Sequence, residues 1–167
     1  MKNTPTHLKE ILKTIDGTSG QIICTCGARD FGVRYCGEPR GGMVGFKKCG
    51  SKYALVVNAF CNGCGKSWEL FDNAKHSYNG LICGEGITAP ADMTRLCPEC
   101  GGSLFEIEMS VDIEDEQQFI EEVVEMPPSG MSFVPEDHID VWDWVVIDLK
   151  CSGCGKTIES WVNAELS

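Results

Sequence analysis

Histidine is nearly missing: the chain has only His7, His76 and His138, and no two stand at a spacing that would ligate one metal ion. A catalytic metal usually keeps three protein ligands, often with histidine, and an open position, so that arrangement finds no support. No Ser-His-Asp set or nucleophile elbow is visible, and the acidic residues form no isolated pair suited to acid/base work. Gly65-Lys66-Ser67 and Gly155-Lys156-Thr157 end like a phosphate loop. Phe60 and Lys150 stand where that loop needs its first glycine, so the match fails twice. These absences argue against an enzyme. Long apolar runs are also lacking. None reaches the length of a membrane span, and MKNTPTHLKEILKTIDG has no apolar core of signal-peptide type. A soluble, cytoplasmic protein is expected. Aromatic residues make up only 8% of the 167 positions, too few for a large oily core.

What the chain has instead is 11 cysteines and 19 glycines. Hydrophobic content of 43% and charged content of 23% exclude wholesale disorder. An odd number of cysteines cannot pair completely, and cytosolic thiols stay reduced, so metal is the expected cross-link. Charge is unevenly placed. Residues 1–101 hold 12 Lys and Arg against 9 Asp and Glu, whereas residues 102–167 hold 2 against 16. No Lys or Arg occurs between Cys100 and Lys150. The second half would be repelled by a polyanion.

The cysteines repeat. VVNAFCNGCGKSWELFDNA (56–74) aligns without a gap on VIDLKCSGCGKTIESWVNA (146–164). Each copy has an upstream partner, Cys24-Thr-Cys26-Gly27 for the first and Cys97-Pro-Glu-Cys100-Gly101 for the second. Two cysteines on a tight turn closed by glycine present both sulfurs to one tetrahedral ion, and two such turns complete a four-thiolate site. This arrangement resembles the zinc-ribbon family, in which two knuckles are joined by a small antiparallel sheet. The resemblance covers nearly all of 22–74 and 95–164. It implies Cys24, Cys26, Cys61 and Cys64 as one ligand set, Cys97, Cys100, Cys151 and Cys154 as another, and two Zn2+ per chain. Cys24-Thr-Cys26 is one residue short of the usual pattern. Cys36, Cys49 and Cys83 are also followed by glycine, so one of them is an alternative to Cys24; otherwise all three read as free thiols. Sulfur ligands alone do not separate zinc from iron. Four thiolates around each zinc would move the net charge from −11 to about −15, and Lys66 and Lys156 would offset it locally. A thioredoxin-like role for Cys61-Asn-Gly-Cys64 lacks its βαβ setting. The second unit is also similar to small phage and bacterial zinc-ribbon proteins of the restriction-alleviation type, which suggests an accessory protein.

The expected fold is therefore small, metal-stabilised and mainly β, with two tandem ribbons (21–75 and 95–167). Residues 1–20 read as an amphipathic helix: Thr4 as cap, Pro5 at the first position, Leu8, Ile11, Leu12 and Ile15 on one face, and Gly17 as the stop. Residues 76–94 read as a linker. An acidic insertion, 106–143, contains a short helix through Phe119, Ile120, Val123 and Val124 that Pro127-Pro128 ends. Projecting from a hairpin tip, this insertion is the expected contact surface for a protein partner with a basic patch. The alternative is nucleic-acid binding by the first unit through Arg29, Arg34, Arg40, Lys47, Lys48 and Lys52, interleaved with Phe31, Tyr35, Phe46 and Tyr53.

Overall fold

Phe31, Val33 and Tyr35 are buried while Arg34 between them is exposed, the period-two signature of a strand with one face in a core. The same alternation runs through Phe105, Ile107, Met109 and Val111, and through Val145, Ile147, Leu149 and Cys151. The computed structural model describes residues 4–14 and 16–167. Its strands are β1 (Leu12–Thr14), β2 (Ser19–Ile22), β3 (Phe31–Cys36), β4 (Glu38–Arg40), β5 (Met43–Gly45), β6 (Lys47–Cys49) and β7 (Lys52–Ala54). They continue as β8 (Val56–Cys61), β9 (Ser67–Asp72), β10 (Met93–Thr94), β11 (Leu104–Ile113), β12 (Trp142–Cys151) and β13 (Thr157–Glu165). Two short α-helices, α1 (Asn73–His76) and α2 (Glu116–Phe119), and four 3-10 or wider helical turns (Thr6–Leu8, Tyr78–Ile82, Ile120–Val124 and Pro135–Asp140) complete the described residues.

The main sheet runs β4-β5-β13-β12-β11-β3-β8-β9, with β1, β2 and β10 attached to it. Inside it, the order β9-β8-β3 continues as β11-β12-β13, so the second unit repeats the first in mirror sequence about the β3–β11 junction. That junction is antiparallel and places Phe31 opposite Phe105. Each phenylalanine stands five residues after the second cysteine of its upstream knuckle, Cys26 and Cys100. Equivalent residues paired with each other mark a pseudo-two-fold axis through the junction. Flanking hydrogen bonds obey it: Asn62 N–H donates to Asp30 C=O at 3.0 Å, and the equivalent Ser152 N–H to Leu104 C=O at 3.0 Å.

The sheet curls. Only Gly37 separates β3 from β4, although β4 lies at the far edge of the strand order. A Cβ on Gly37 would sit 2.6 Å from Val44 Cγ2 and 2.8 Å from the Gly45 carbonyl, so only glycine allows this approach. Across the interior, Tyr35 on β3 meets Trp161 on β13 edge-on, centroids 5.3 Å apart. Residues of both repeat units share one core, including Phe31, Val57, Phe71, Phe105, Ile147, Trp142 and Trp161. The 76–94 segment does not behave as a free linker between separate cores. Tyr78–Ile82 forms a wide helical turn packed by Ile82, and Met93–Thr94 pairs with β3.

The N-terminal helix is replaced by a single 3-10 turn, Thr6–Leu8, followed by the β1–β2 hairpin. Leu8, Ile11 and Leu12 are all buried as expected, but from a turn and a strand; Ile15 lies outside the described residues. Turn chemistry overrides the helical spacing here. Asp16 Oδ1 accepts from the Thr18 and Ser19 N–H groups and from the Thr14 hydroxyl, and Gly17 takes a φ of 94°. The Thr18 amide first, then the Thr14 hydroxyl, hold the Asp16 carboxyl well below the usual carboxylate range.

The acidic insertion is shorter than expected and does not project freely. Glu106–Ile113 and Trp142–Asp143 belong to β11 and β12, which leaves 114–141. Asp115 caps α2 by accepting from Gln118 N–H, and the helix widens through Ile120–Val124. Phe119 and Val123 then pack on Ile82 and Val141 in a second small core. Glu114, buried at the base, has its carboxyl pushed up to about 8, by burial first and by the Asp143 carboxyl second. Asp143 Oδ1 is buried there without a hydrogen-bond partner. No helix among the described residues is long and apolar enough to cross a membrane.

His7, His76, Trp142 and Phe71 form an aromatic cluster, with His7 and His76 centroids 4.1 Å apart and 6° from parallel, and Trp142 within 5.6 Å of both. His76 Nδ1 accepts from Asp72 N–H at 2.9 Å, and His7 Nε2 donates to the Leu70 carbonyl at 3.2 Å. Burial, then the charges of His7 and Lys75, push His76 down to about 2; burial also lowers His7, against the raising influence of Asp140 and Glu69. The folded state therefore holds neutral imidazoles, and their contribution is complete above the ordinary histidine value and lost as pH falls below it. His76 alone removes about 1.4 kcal/mol per pH unit below about 6.5. The Glu114 carboxyl acts oppositely, its stabilisation fading as pH rises towards 8. The clean readout is a difference: between pH 6.5 and 4.5, denaturant midpoints of the parent should fall relative to those of His76→Gln. Parallel profiles would refute the assignment.

Candidate metal centres

Four tight turns carry eight of the cysteines. After β8 the chain turns at Cys61, where Gly65 N–H donates to Cys61 C=O at 2.8 Å and Cys61 N–H to Lys66 C=O at 2.9 Å. The turn after β12 repeats this, with Gly155 to Cys151 at 2.9 Å and Cys151 to Lys156 at 2.8 Å. Gly65 and Gly155 have φ of 74° and 77°, the left-handed region that a Cβ disfavours. The Cys97 turn, ahead of β11, closes in the same way on Gly101 and Gly102.

Cys24-Thr-Cys26 departs from this pattern without losing the site. Gly27 N–H reaches Cys24 C=O at 2.8 Å three residues back instead of four, and Cys24 N–H reaches Ala28 at 3.0 Å. Deleting one residue tightens the turn and leaves both thiols on the same side. The structure accordingly gathers Cys24, Cys26, Cys61 and Cys64, and separately Cys97, Cys100, Cys151 and Cys154, with the sulfurs of each set within 4.8 Å of one another. Cys36 is buried, Cys49 half-buried and Cys83 exposed, and none joins a set.

Within the first set, Cys24–Cys64 and Cys26–Cys61 sulfurs are 3.6 and 3.5 Å apart. In the second, Cys97–Cys154 and Cys100–Cys151 are 3.7 and 3.6 Å apart. Four thiolates about 2.3 Å from a tetrahedral ion stand about 3.8 Å from each other. A disulfide needs about 2.05 Å, and all 11 cysteines are free thiols. The donor sets therefore fit a bound ion. In each, the first cysteine of a turn is buried and the second exposed, so the ion would sit at the core boundary.

Each set favours thiolate at one buried cysteine, Cys24 or Cys151, while burial and the neighbouring thiols raise Cys26, Cys100 and Cys154. Gly63 N–H points at Cys61 Sγ (3.3 Å) and Gly102 N–H at Cys100 Sγ (3.4 Å). Burial raises Cys24, but the Cys26 amide, then the Cys61 thiol and the Trp68 indole, more than offset it and bring the thiol to about 6. The Cys154 and Gly153 amides bring Cys151 to about 7. Lys66 lies over the Trp68 ring at 4.2 Å, and Lys156 faces Glu99 at 3.9 Å. The two sites also touch, since the Ser152 hydroxyl in the second donates to Asp30 of the first at 2.6 Å.

The basic and aromatic residues of the first unit are dispersed. Phe31 and Tyr35 are in the core, Arg34 lies over Phe60 on the outer face at 5.5 Å, and Arg29 reaches Gln21. Lys47 and Lys52 are exposed on the β6–β7 hairpin. Arg40, Phe46, Lys48 and Tyr53 alone converge, around one cleft. Glu106 and Glu108, expected in the projecting insertion, lie instead on the outer face of β11–β13 with Asp148 and Glu159. Glu106, Glu108, Asp148 and Glu159 surround a groove there with only Lys150 against them, and Trp144 is exposed on the same face. Period-two reading of EIEMSVD places these acids opposite the buried Ile107, Met109 and Val111.

No family model matches the chain, and neither a curated protein nor a solved structure matches it.

Proposed function

We propose that this is a non-enzymatic, cytoplasmic protein in which two structural Zn2+ sites of zinc-ribbon type hold an acidic surface for a protein partner with a basic patch. Four thiolates close the coordination sphere of each ion and leave no position for substrate. Soft sulfur donors in a tetrahedron suit zinc, and the reducing interior of a cell keeps them as thiols.

The observation that carries the reading is the acidic outer face of β11–β13, continuous in sequence with the insertion and facing solvent around Trp144. An exposed aromatic within a field of one sign is suited to fast, charge-steered docking. This shifts the contact surface from the insertion tip to the sheet. A pull-down should recover a partner with the intact protein, and lose it both at high salt and with Glu106→Gln, Glu108→Gln and Glu159→Gln combined. Recovery unaffected by the triple change would sink the proposal.

Nucleic-acid binding by the first unit is the weaker reading. With Phe31 and Tyr35 in the core, two of its four stacking rings are inaccessible. No shift of single-stranded or duplex nucleic acid is expected even at low salt.

A further inference from the structure

Arg40, Phe46, Lys48 and Tyr53, which the outer acidic face leaves unused, line a cleft of about 460 Å³. Glu38, Glu85 and Glu165 also line it, Glu38 beside Arg40 on β4 and Glu85 beside Tyr53, so the first unit, the 76–94 segment and β13 of the second unit all contribute. The volume falls in the range of small-ligand sites, and the lining combines aromatic surface with a few charges of both signs.

Some of these groups are already satisfied. Arg40 pairs with Glu38 at 3.1 Å. The Asn73 amide donates to the Tyr53 carbonyl and accepts from the Ser77 hydroxyl. Others have no side-chain partner among the described residues: Lys48, Glu85 and Glu165 make no ion pair, and the Asn79 side chain and Tyr53 hydroxyl make no hydrogen bond. Phe46 and Tyr53 meet edge to face at 6.4 Å, and Tyr53 is 37% exposed. Three carboxylates repel a polyanion. A purely apolar ligand would strip water from Lys48, Glu85 and Glu165 and give nothing back. An organic cation would satisfy the carboxylates but leave the ammonium of Lys48 uncompensated.

We propose that this cleft binds a small zwitterion with a flat apolar body, of the aromatic α-amino-acid class. Its ammonium is held by Glu85 and Glu165, its carboxylate by Lys48, and its body lies against Phe46 and Tyr53. The cleft shares no lining residue with the acidic groove or with the metal centres, although Glu165 stands opposite Trp144 in the β12–β13 register.

Ligand-observed saturation-transfer NMR on the metal-loaded protein tests this with three probes: L-phenylalanine, phenethylamine, which lacks the carboxylate, and 3-phenylpropionate, which lacks the amine. L-Phenylalanine should bind best. Lys48→Met and Glu165→Gln should each weaken it by about tenfold or more, with metal content and melting temperature kept as checks on folding. Lys150→Met, on the outer face, should leave binding unchanged. Absence of transfer from all three probes overturns the proposal. So does phenethylamine binding as tightly as L-phenylalanine, or equal binding by the parent and both cleft variants.

Discussion

Cys151→Ser is expected to release one of two metal ions per chain and to cost several kcal/mol of stability. Cys151 is 1% exposed, ends β12, and lies opposite Phe105 in the sheet, so its sulfur joins the metal site to the centre of the core. Structural zinc sites contribute on the order of 10–16 kcal/mol to the folding of small domains. Serine is a poor zinc ligand and leaves a buried hydroxyl where the thiolate was. Metal analysis of protein prepared under reducing conditions should give two ions for the parent, mostly zinc, and one for the variant. Strong chelators should unfold both. Cys83→Ser is the control, since that thiol is exposed and outside both sets; it should keep two ions and lose less than about 0.5 kcal/mol. Two ions retained by Cys151→Ser would remove that residue from the ligand set, and a metal-free parent that still melts cooperatively would remove the metal.

Phe105→Ala should be the most damaging change away from the cysteines. The ring is fully buried and stands between Phe31 on one neighbouring strand and Cys151 on the other. Truncating a buried phenylalanine costs about 3–5 kcal/mol, which in a domain of this size lowers the melting temperature by roughly 6–20 °C. Phe31→Ala should cost a similar amount, and the two should be non-additive by about 0.5–3 kcal/mol because they touch across the pseudo-axis. Phe60→Ala, on the half-exposed outer face, should be far milder. Equal costs for Phe60 and Phe105, or strict additivity of Phe31 and Phe105, would mean that the two units do not share a core.

The cysteine clusters were readable in the residues because a knuckle is a local object. Cys61-Asn-Gly-Cys64-Gly65 contains its own turn, its own left-handed glycine and both of its thiols. The shortened Cys24 turn was readable only in part, since its fitness depends on where Cys61 and Cys64 lie. The helix assigned to 1–20 failed because Thr14, Asp16 and Gly17 form a hairpin turn, and β2 was available to pair with Leu12–Thr14. Apolar spacing over a single stretch does not register a partner strand. The short helix through Phe119 and Val123 was found, but its anchorage on Ile82 was not, because that contact joins residues about forty positions apart.

By itself the sequence settles the local chemistry: the four-cysteine set of the second half and three cysteines of the first, strands with one buried face, a repeat, and acid gathered in the second half. Spacing and side-chain type decide these within a few residues. The tertiary structure alone decides that both units share one curled sheet, that Phe31 meets Phe105, that the acids of β11–β13 line one outer face, and that Arg40, Lys48 and Tyr53 converge with Glu165 on one cleft. Each depends on strand order and register, and hydrogen bonds between backbones carry no residue code that a single chain displays.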